Sequence, residues 1–348
     1  MAISAVDSIN LALEHTKQQL FRPFRIGQWT RLAFVGLLAG ELGANGCNRA
    51  NFEPHRHIDL APHFPGVAGA FAPALIAAAI SGIIAALAIG IILLYVSSVM
   101  RFILFDSVVA RECHIRWEWN RRLAPGWRLF AFKLGYALIS IAGFAIILGI
   151  PAGLAFSKGW FSAPREHLAP LILGGAFDFC ALVVFVILTA IIFVLIKDFV
   201  VPQMALENVD VMEGWRRLWM MMGAEKGAYV AYIAMKIVLA IVVGILMGVA
   251  TLILGLIIAI PSVGLGLLAV ITGKHAGLTW NIHTITLAVV IGCVLLAVFL
   301  YLVSLIYVPA IVFFPAYSIH FFAGRYPQLR AALYPAQPGA PGSAPAGV

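Results

Sequence analysis

The sequence predicts an all-α membrane protein with about six transmembrane helices. Of its 348 residues, 62% are hydrophobic and only 11% are charged, and the mean hydropathy is +1.00. A soluble domain carries about 25% charged residues, whereas a helix that crosses a bilayer needs roughly 20 apolar residues. The composition therefore excludes a disordered chain, a secreted disulfide scaffold and an ordinary soluble enzyme.

Long stretches without Asp, Glu, Lys or Arg locate most of the spans. The stretch 168–196 holds a single charge, Asp178, and the first segment is weaker because it is short and contains Arg31 and Glu41. The surplus apolar segment 261–273 is predicted to be a connector at the membrane surface or a re-entrant piece, which requires burial in protein. The predicted spans are about 28–45, 74–100, 131–156, 170–197, 228–256 and 285–308.

The distribution of basic residues predicts the orientation. Seventeen of the 23 Lys and Arg residues fall on one side of these spans, and basic loops stay in the cytoplasm. Both termini are then cytoplasmic, as an even number of spans requires. Residues 1–330 are predicted to form a single membrane domain, and the Pro/Gly/Ala-rich tail 331–348 is predicted to be disordered.

Two segments between spans resemble each other and suggest an internal repeat. Ala110–Leu123 and Ala205–Leu218 match at six positions at an offset of 95, including the pairs Arg121/Arg216 and Arg122/Arg217. Both are predicted to be amphipathic helices lying in the cytoplasmic interface. The N-terminal stretch looks like a third copy, with Val6, Ile9, Leu13 and Leu20 on one face. The architecture would be three parallel units of interfacial helix, span and span. The alternative is that polar helices between spans look alike for physical reasons alone.

The second of these segments also carries a family resemblance. Residues 198–219, DFVVPQMALENVDVMEGWRRLW, resemble the membrane domain attached to some glycerophosphodiester phosphodiesterases and related bacterial membrane domains of unknown function. Residues 307–322, YVPAIVFFPAYSIHFF, fit the same style. The resemblance implies a membrane architecture in the bacterial inner membrane. It does not imply phosphodiesterase activity, because the catalytic part of those enzymes is a separate soluble barrel with acidic metal ligands, and no such domain fits in this chain.

Charged residues near the spans supply the candidate sites. Asp178 and Glu41 are candidates for intramembrane functional acids, because charge inside a bilayer is costly; Asp178 could instead reach the outer interface. Lys236, about two turns into the fifth span, is expected to snorkel to the cytoplasmic interface. The residues predicted to contact lipid headgroups or a partner are Arg121, Arg122, Arg216 and Arg217.

The first loop on the non-cytoplasmic side contains a weak metal-binding pattern. His55, His57 and His63, with Glu53 and Asp59, have donor types that suit Zn²⁺. Prolines in the same loop leave the geometry open, so a solvated polar loop is the favoured interpretation. We therefore expect no metal and no other cofactor.

These features predict a non-enzymatic membrane protein that organises lipids, with anionic headgroups favoured, or a partner protein. A membrane-protein partner or a homo-oligomer is compatible with the sequence. Nucleic acid is not expected, because the cations do not form a continuous basic surface. One alternative is a transporter or permease for a small or amphipathic solute. A weaker one is an intramembrane enzyme that modifies lipid, for which no acid–base or nucleophile pair can be assembled.

Overall fold

A computed structural model describes residues 4–41, 68–160, 167–275 and 282–334, and within these ranges the chain is helical without any strand. The elements are α1 (Asp7–Phe21), α2 (Ile26–Leu38), α3 (Ala68–Ala110), α4 (Ile115–Ser157), α5 (Leu168–Leu195), a π-helical turn (Ile196–Val200), α6 (Val201–Glu207), α7 (Val211–Ala224), α8 (Lys226–His275), α9 (Ile282–Ile306), α10 (Val308–Ala323) and α11 (Pro327–Leu333).

Five helical stretches are long and apolar enough to cross a membrane, which indicates a multi-pass membrane protein and confirms the all-α class. They are Ala77–Ala110, Ile115–Ser157, Leu168–Glu207, Lys226–Gly273 and Thr284–Ala323. The predicted sixth span, 28–45, is not among them. Within the described ranges it corresponds to α2, whose 13 residues extend for roughly 20 Å. The rest of that predicted span lies outside the described residues.

Two predicted connecting segments belong to longer helices instead. The predicted interfacial helix at 110–123 is not separate, because α4 begins at Ile115 and continues to Ser157. Gly126 allows α3 to pack closely against this part of α4, since a Cβ there would lie 2.6 Å from a Val99 methyl group. The segment 261–273 is likewise part of α8, which runs through Pro261. Neighbouring groups can satisfy the backbone around a proline inside an apolar helix.

One end of the molecule is a compact helical assembly around α10. Every residue of α10 except Pro309 and Pro315 is buried, as expected for a helix that is apolar on all sides. It packs against α1, α2, α3 and the π turn. We call this assembly the packed base; it comprises α1, α2, residues 95–133, residues 195–236, α10 and α11.

Long apolar helices extend from the packed base in pairs. The Tyr136 hydroxyl of α4 donates to the Thr189 carbonyl of α5 over 3.1 Å, and Gly255 of α8 lies against Phe299 of α9. Most side chains along these helices, such as Ile139, are exposed. Such apolar surface is what a lipid environment or a further protein would cover.

The packed face of α1 differs from the predicted one. Val6 and Leu13 are exposed, and the buried residues are mostly polar: Ser8, Ala12, His15, Thr16, Gln19 and Leu20. His15 and Gln19 find partners on α3, whereas the Ser8 and Thr16 hydroxyls donate to carbonyls four residues earlier in the chain. The Gln19 amide donates to the Ser107 carbonyl over 2.9 Å, for example. A pattern of apolar spacing cannot detect a face of this kind.

Candidate functional site

Charged residues from six positions meet where the apolar helices enter the packed base. Four of them are cations, and each borders a charge-free stretch on the side of the packed base: 77–100, 134–157, 179–196 and 237–273. We call the whole group the ionic junction; it consists of Glu41, Arg101, Lys133, Lys197, Asp198 and Lys236.

Glu41 is the first of two carboxylates in this junction. Only 1% of its surface is exposed, and it accepts hydrogen bonds from Arg101 Nη1 and Lys197 Nζ. Arg101 Nη2 also donates to the Ala39 carbonyl over 2.7 Å. Because a buried carboxylate needs such partners, Glu41 ties the end of α2 to α3 and to the π turn.

Asp198 is the second carboxylate and is equally enclosed, at 2% exposure. It accepts hydrogen bonds from Lys236 Nζ and, over 2.9 Å, from the Tyr232 hydroxyl. The prediction that Lys236 snorkels is therefore wrong: its side chain is largely buried in an ion pair. The partner lies 38 residues away in the sequence, and only the fold brings the two together.

The π turn places two members of the junction side by side. Its widened hydrogen bond runs from the Val201 N–H to the Ile196 carbonyl, five residues back. Pro202 follows at once and has no N–H to offer the preceding turn. Lys197 reaches Glu41 while Asp198 reaches Lys236, so the turn joins both carboxylates into one network. Turns of this type are frequent at functional sites.

A small cavity lies against the junction, between the π turn and α10. It measures about 20 Å³, which is room for about one water molecule. Its polar lining comes from Arg101, Lys197, Asp198 and Ser318. The cavity is too small for an organic solute.

Lys133 differs from the other three cations. It forms no ion pair and no hydrogen bond with the described residues, and its ammonium group lies 6.0 Å from the centre of the Phe193 ring. Arg101, Lys197 and Glu41 are close enough for their charges to act on it. The junction therefore contains four cations for two carboxylates.

The predicted headgroup-binding arginines have two kinds of environment. Arg122 is buried, forms a double hydrogen bond to Asp106 at 2.6 Å for each contact and donates to the Ala205 carbonyl over 2.8 Å. Arg217 is held by Glu207 and Glu213, and these hydrogen bonds raise the pKa of Arg217 above its ordinary value. Both side chains connect elements of the packed base.

Arg121 and Arg216, in contrast, are exposed. The Arg121 guanidinium lies 5.6 Å from the centre of the Trp117 ring, and Arg216 pairs with Glu213, one turn earlier on α7. The buried face of α7 is formed by Val211, Gly214 and Leu218. Its opposite, open face carries Met212, Arg216, Trp219 and Met220.

The other predicted residues do not join these groups. Asp178 is half-buried on α5 and forms no ion pair or hydrogen bond within the described part of the chain. It lies roughly 28 Å along the helix from Lys197, so the structure does not bring it near Glu41. His55, His57 and His63 lie outside the described residues.

Sequence reasoning missed a second polar cluster, which links α1 to α3, to α10 and to the residue that follows α11. His15 Nε2 lies 2.8 Å from the Val108 carbonyl oxygen, His15 Nδ1 lies 3.3 Å from His320 Nε2, and His320 Nδ1 lies 2.9 Å from the Tyr334 hydroxyl. Because a carbonyl only accepts, neutral rings give one consistent order: Tyr334 donates to His320, His320 to His15, and His15 to Val108. Burial lowers the pKa of His15. The two histidines are 305 positions apart, so no local pattern signals them.

Comparison with known proteins gives one result. A model described as "Family of unknown function (DUF7544)" matches residues 3–332. The chain belongs to this family. The match includes the ionic junction and α7, but it attaches no activity to them. No curated protein and no solved structure matches the chain.

Proposed function

We propose that this protein is a non-enzymatic, multi-pass protein of the bacterial inner membrane that organises anionic lipids or partner proteins through the exposed rim of its packed base. The rim consists of Trp117, Arg121, Trp127, Met212, Arg216, Trp219 and Met220. The observation that carries the proposal is the pairing of exposed tryptophan with exposed arginine on this rim.

Exposed tryptophan is unusual on a surface that faces water alone. Trp117, Trp127 and Trp219 are 68%, 59% and 65% exposed. Trp is enriched where a protein crosses the membrane–water interface, because its ring is apolar and its N–H is polar. Arg121 and Arg216 add positive charge at the same end, and anionic lipids attract such charge with about 1 kcal/mol per residue.

The two Arg-Arg pairs, 121–122 and 216–217, have the same arrangement. In each, the first arginine is exposed and the second is tied to carboxylates of the packed base: Arg122 to Asp106, Arg217 to Glu207 and Glu213. This common arrangement supports the proposed internal repeat. It also narrows the proposed lipid contacts from four arginines to Arg121 and Arg216.

The excess of basic residues at the packed base supports cytoplasmic N- and C-termini, as part of the same proposal.

A distant relationship to the membrane domain of glycerophosphodiester phosphodiesterases remains a hypothesis that rests on residues 198–219. It would extend to the membrane architecture and not to catalysis. The exposed apolar faces of the paired long helices leave room for a membrane-protein partner or a second copy of this chain.

Transport of a small or amphipathic solute is a second candidate, and the ionic junction is the observation that favours it. Charged groups held among membrane helices often belong to ion or substrate pathways. Under this alternative, Glu41→Gln and Asp178→Asn would change uptake or efflux. Transport that survives both substitutions would argue against a role for these acids.

Lipid that co-purifies with the protein tests the leading proposal. We expect Arg121→Glu combined with Arg216→Glu to lower the ratio of anionic to zwitterionic phospholipid bound by the full-length protein. The matched control is Arg330→Glu, which reverses an exposed charge on α11 outside the rim. An unchanged lipid ratio in the rim variant would overturn the proposal.

A further inference from the structure

The ionic junction has a surplus of positive charge that the described residues do not neutralise. Glu41 is shared by Arg101 and Lys197, and Asp198 is taken up by Lys236 and Tyr232. Within the described ranges, Lys133 forms no ion pair of its own with either carboxylate. Among the described residues, its ammonium group lies 6.0 Å from the centre of the Phe193 ring, and the charges that act on it are those of Arg101 and Lys197, which repel it, and that of Glu41, which attracts it.

A positive charge in this position is costly to keep. Partial burial weakens its hydration, and two neighbouring cations repel it. An anion bound beside Lys133 would offset both effects, because charge-assisted hydrogen bonds are strongest where water is scarce. The surplus therefore predicts a ligand with negative charge rather than an apolar or zwitterionic one.

The position of Lys133 along its helix identifies the kind of anion. The next 24 residues of α4, 134–157, contain no charge. Trp127, a residue type of the membrane interface, lies on the same helix on the side of the packed base and contacts Tyr95 at 6.0 Å between ring centres. Lys133 thus lies at the level where an apolar span meets the interface, which is where lipid phosphates reside.

We propose that the ionic junction binds the phosphate of an anionic phospholipid at Lys133, beside Phe193 and between α4 and α5. The proposal rests on the membrane placement given under the proposed function, but it does not involve the rim arginines. The acyl chains of this lipid would lie along the exposed apolar surfaces of α4 and α5. A zwitterionic lipid would bind more weakly, because its own cation meets a site that is already positive.

Native mass spectrometry of the full-length protein in a nonionic detergent tests this proposal. Phosphatidylglycerol, phosphatidylcholine and inorganic phosphate are added separately. We expect retention of phosphatidylglycerol, with Lys133→Gln lowering the affinity about fivefold and Lys133→Arg retaining it. The matched control is Lys158→Gln, which removes a charge from the other end of α4, where Lys158 stacks on Trp160 at 5.3 Å.

The possible results separate the alternatives. Equal affinity of Lys133→Gln and wild type for phosphatidylglycerol would overturn the site, and equal retention of the two lipids by wild type would overturn the preference for an anion. If inorganic phosphate alone saturates the site, the ligand is a soluble anion and the proposal of a bound lipid is overturned. If Lys133→Gln does not fold, the retention of phosphatidylglycerol and of phosphatidylcholine by the wild type and by Lys133→Arg still tests the proposal. The double variant Arg121→Glu/Arg216→Glu should retain this lipid even if the rim proposal fails.

Discussion

Glu41 and Lys197 lie 156 positions apart in the sequence and form a buried ion pair. The same carboxylate holds Arg101, so one acidic side chain joins the end of α2, the base of α3 and the π turn. A carboxylate this deeply buried is tolerated because both of its oxygens have charged donors. The pair makes the boundary between the packed base and the apolar helices a fixed electrostatic junction.

Replacement of Glu41 should therefore destabilise the fold. Glu41→Gln leaves Arg101 and Lys197 buried without a counter-charge, and we expect the free energy of unfolding to fall by roughly 3–5 kcal/mol. Unfolding in mixed micelles measures the change. Glu14→Gln is the control, because Glu14 is exposed and, among the described residues, interacts with Gln18 on the same helix. Equal stability of the two variants would contradict a structural role for the junction.

Asp198 and Lys236 should behave as a coupled pair. Asp198→Asn and Lys236→Met each leave one buried charge unpaired, whereas the double variant removes both charges. We expect a coupling free energy of about 1–3 kcal/mol in a double-mutant cycle measured by unfolding. Strictly additive effects would show that Lys236 spends most of its time away from Asp198.

The histidine cluster predicts how stability depends on pH. Burial holds the pKa of His15 below its ordinary value of 6.5, so the unfolded chain binds a proton more readily than the folded one. Stability is then fully present above that ordinary value and falls as the pH drops below it. His320 of α10 and Arg111 at the end of α3 face His15, and His320 in turn contacts Tyr334 after α11.

Thermal unfolding between about pH 8 and about pH 5 measures this effect. His15→Gln retains a donor for the Val108 carbonyl and removes the titrating group. We expect its melting temperature to vary less with pH than that of the wild type. If His15→Gln loses stability in acid as steeply as the wild type, the pH dependence of the melting temperature arises from other groups.

Close packing of α3 against α4 gives a test with an internal control. A methyl group at Gly126 would lie 2.6 Å from a Val99 methyl group and 3.3 Å from the Val99 Cα, so we expect Gly126→Ala to lower stability by about 1–3 kcal/mol. Gly135→Ala on the same helix meets nothing within 4 Å and should be neutral or stabilising by up to about 1 kcal/mol. The opposite ranking of melting temperatures would contradict the packing of these two helices.

The sequence predicts the long apolar helices well, because the absence of charge over many residues is a local property. It predicts their ends less well. The segment 110–123 has the composition of an interfacial helix, yet most of it is the first part of α4, which continues past Gly126, where it packs against Val99, to Ser157. The second copy does form a separate helix, α7, which ends at Ala224 before α8 begins at Lys226.

The candidate site is harder to predict than the fold, because its contacts join distant parts of the chain. Glu41 was recognisable as a costly acid, but neither of its partners lies on its own helix. For Lys236 the sequence predicts snorkelling to the cytoplasmic interface, because it does not show that the π turn places Asp198 within reach of the Lys236 ammonium group. His15 and His320 gave no signal at all, because each is a single histidine in its own segment.

The central claim is that the ionic junction marks the membrane boundary and that the rim lies in the interface. Measuring how deep positions along α4 lie in the bilayer tests this claim most directly. Spin labels at the exposed positions Trp117, Trp127, Ile139 and Ile146 would be compared for contact with oxygen and with a water-soluble nickel complex. We expect the labels at Ile139 and Ile146 to collide mainly with oxygen, and the label at Trp117 to collide mainly with the nickel complex. The change from one behaviour to the other should fall near Lys133. Equal access of the nickel complex to all four labels would contradict the account.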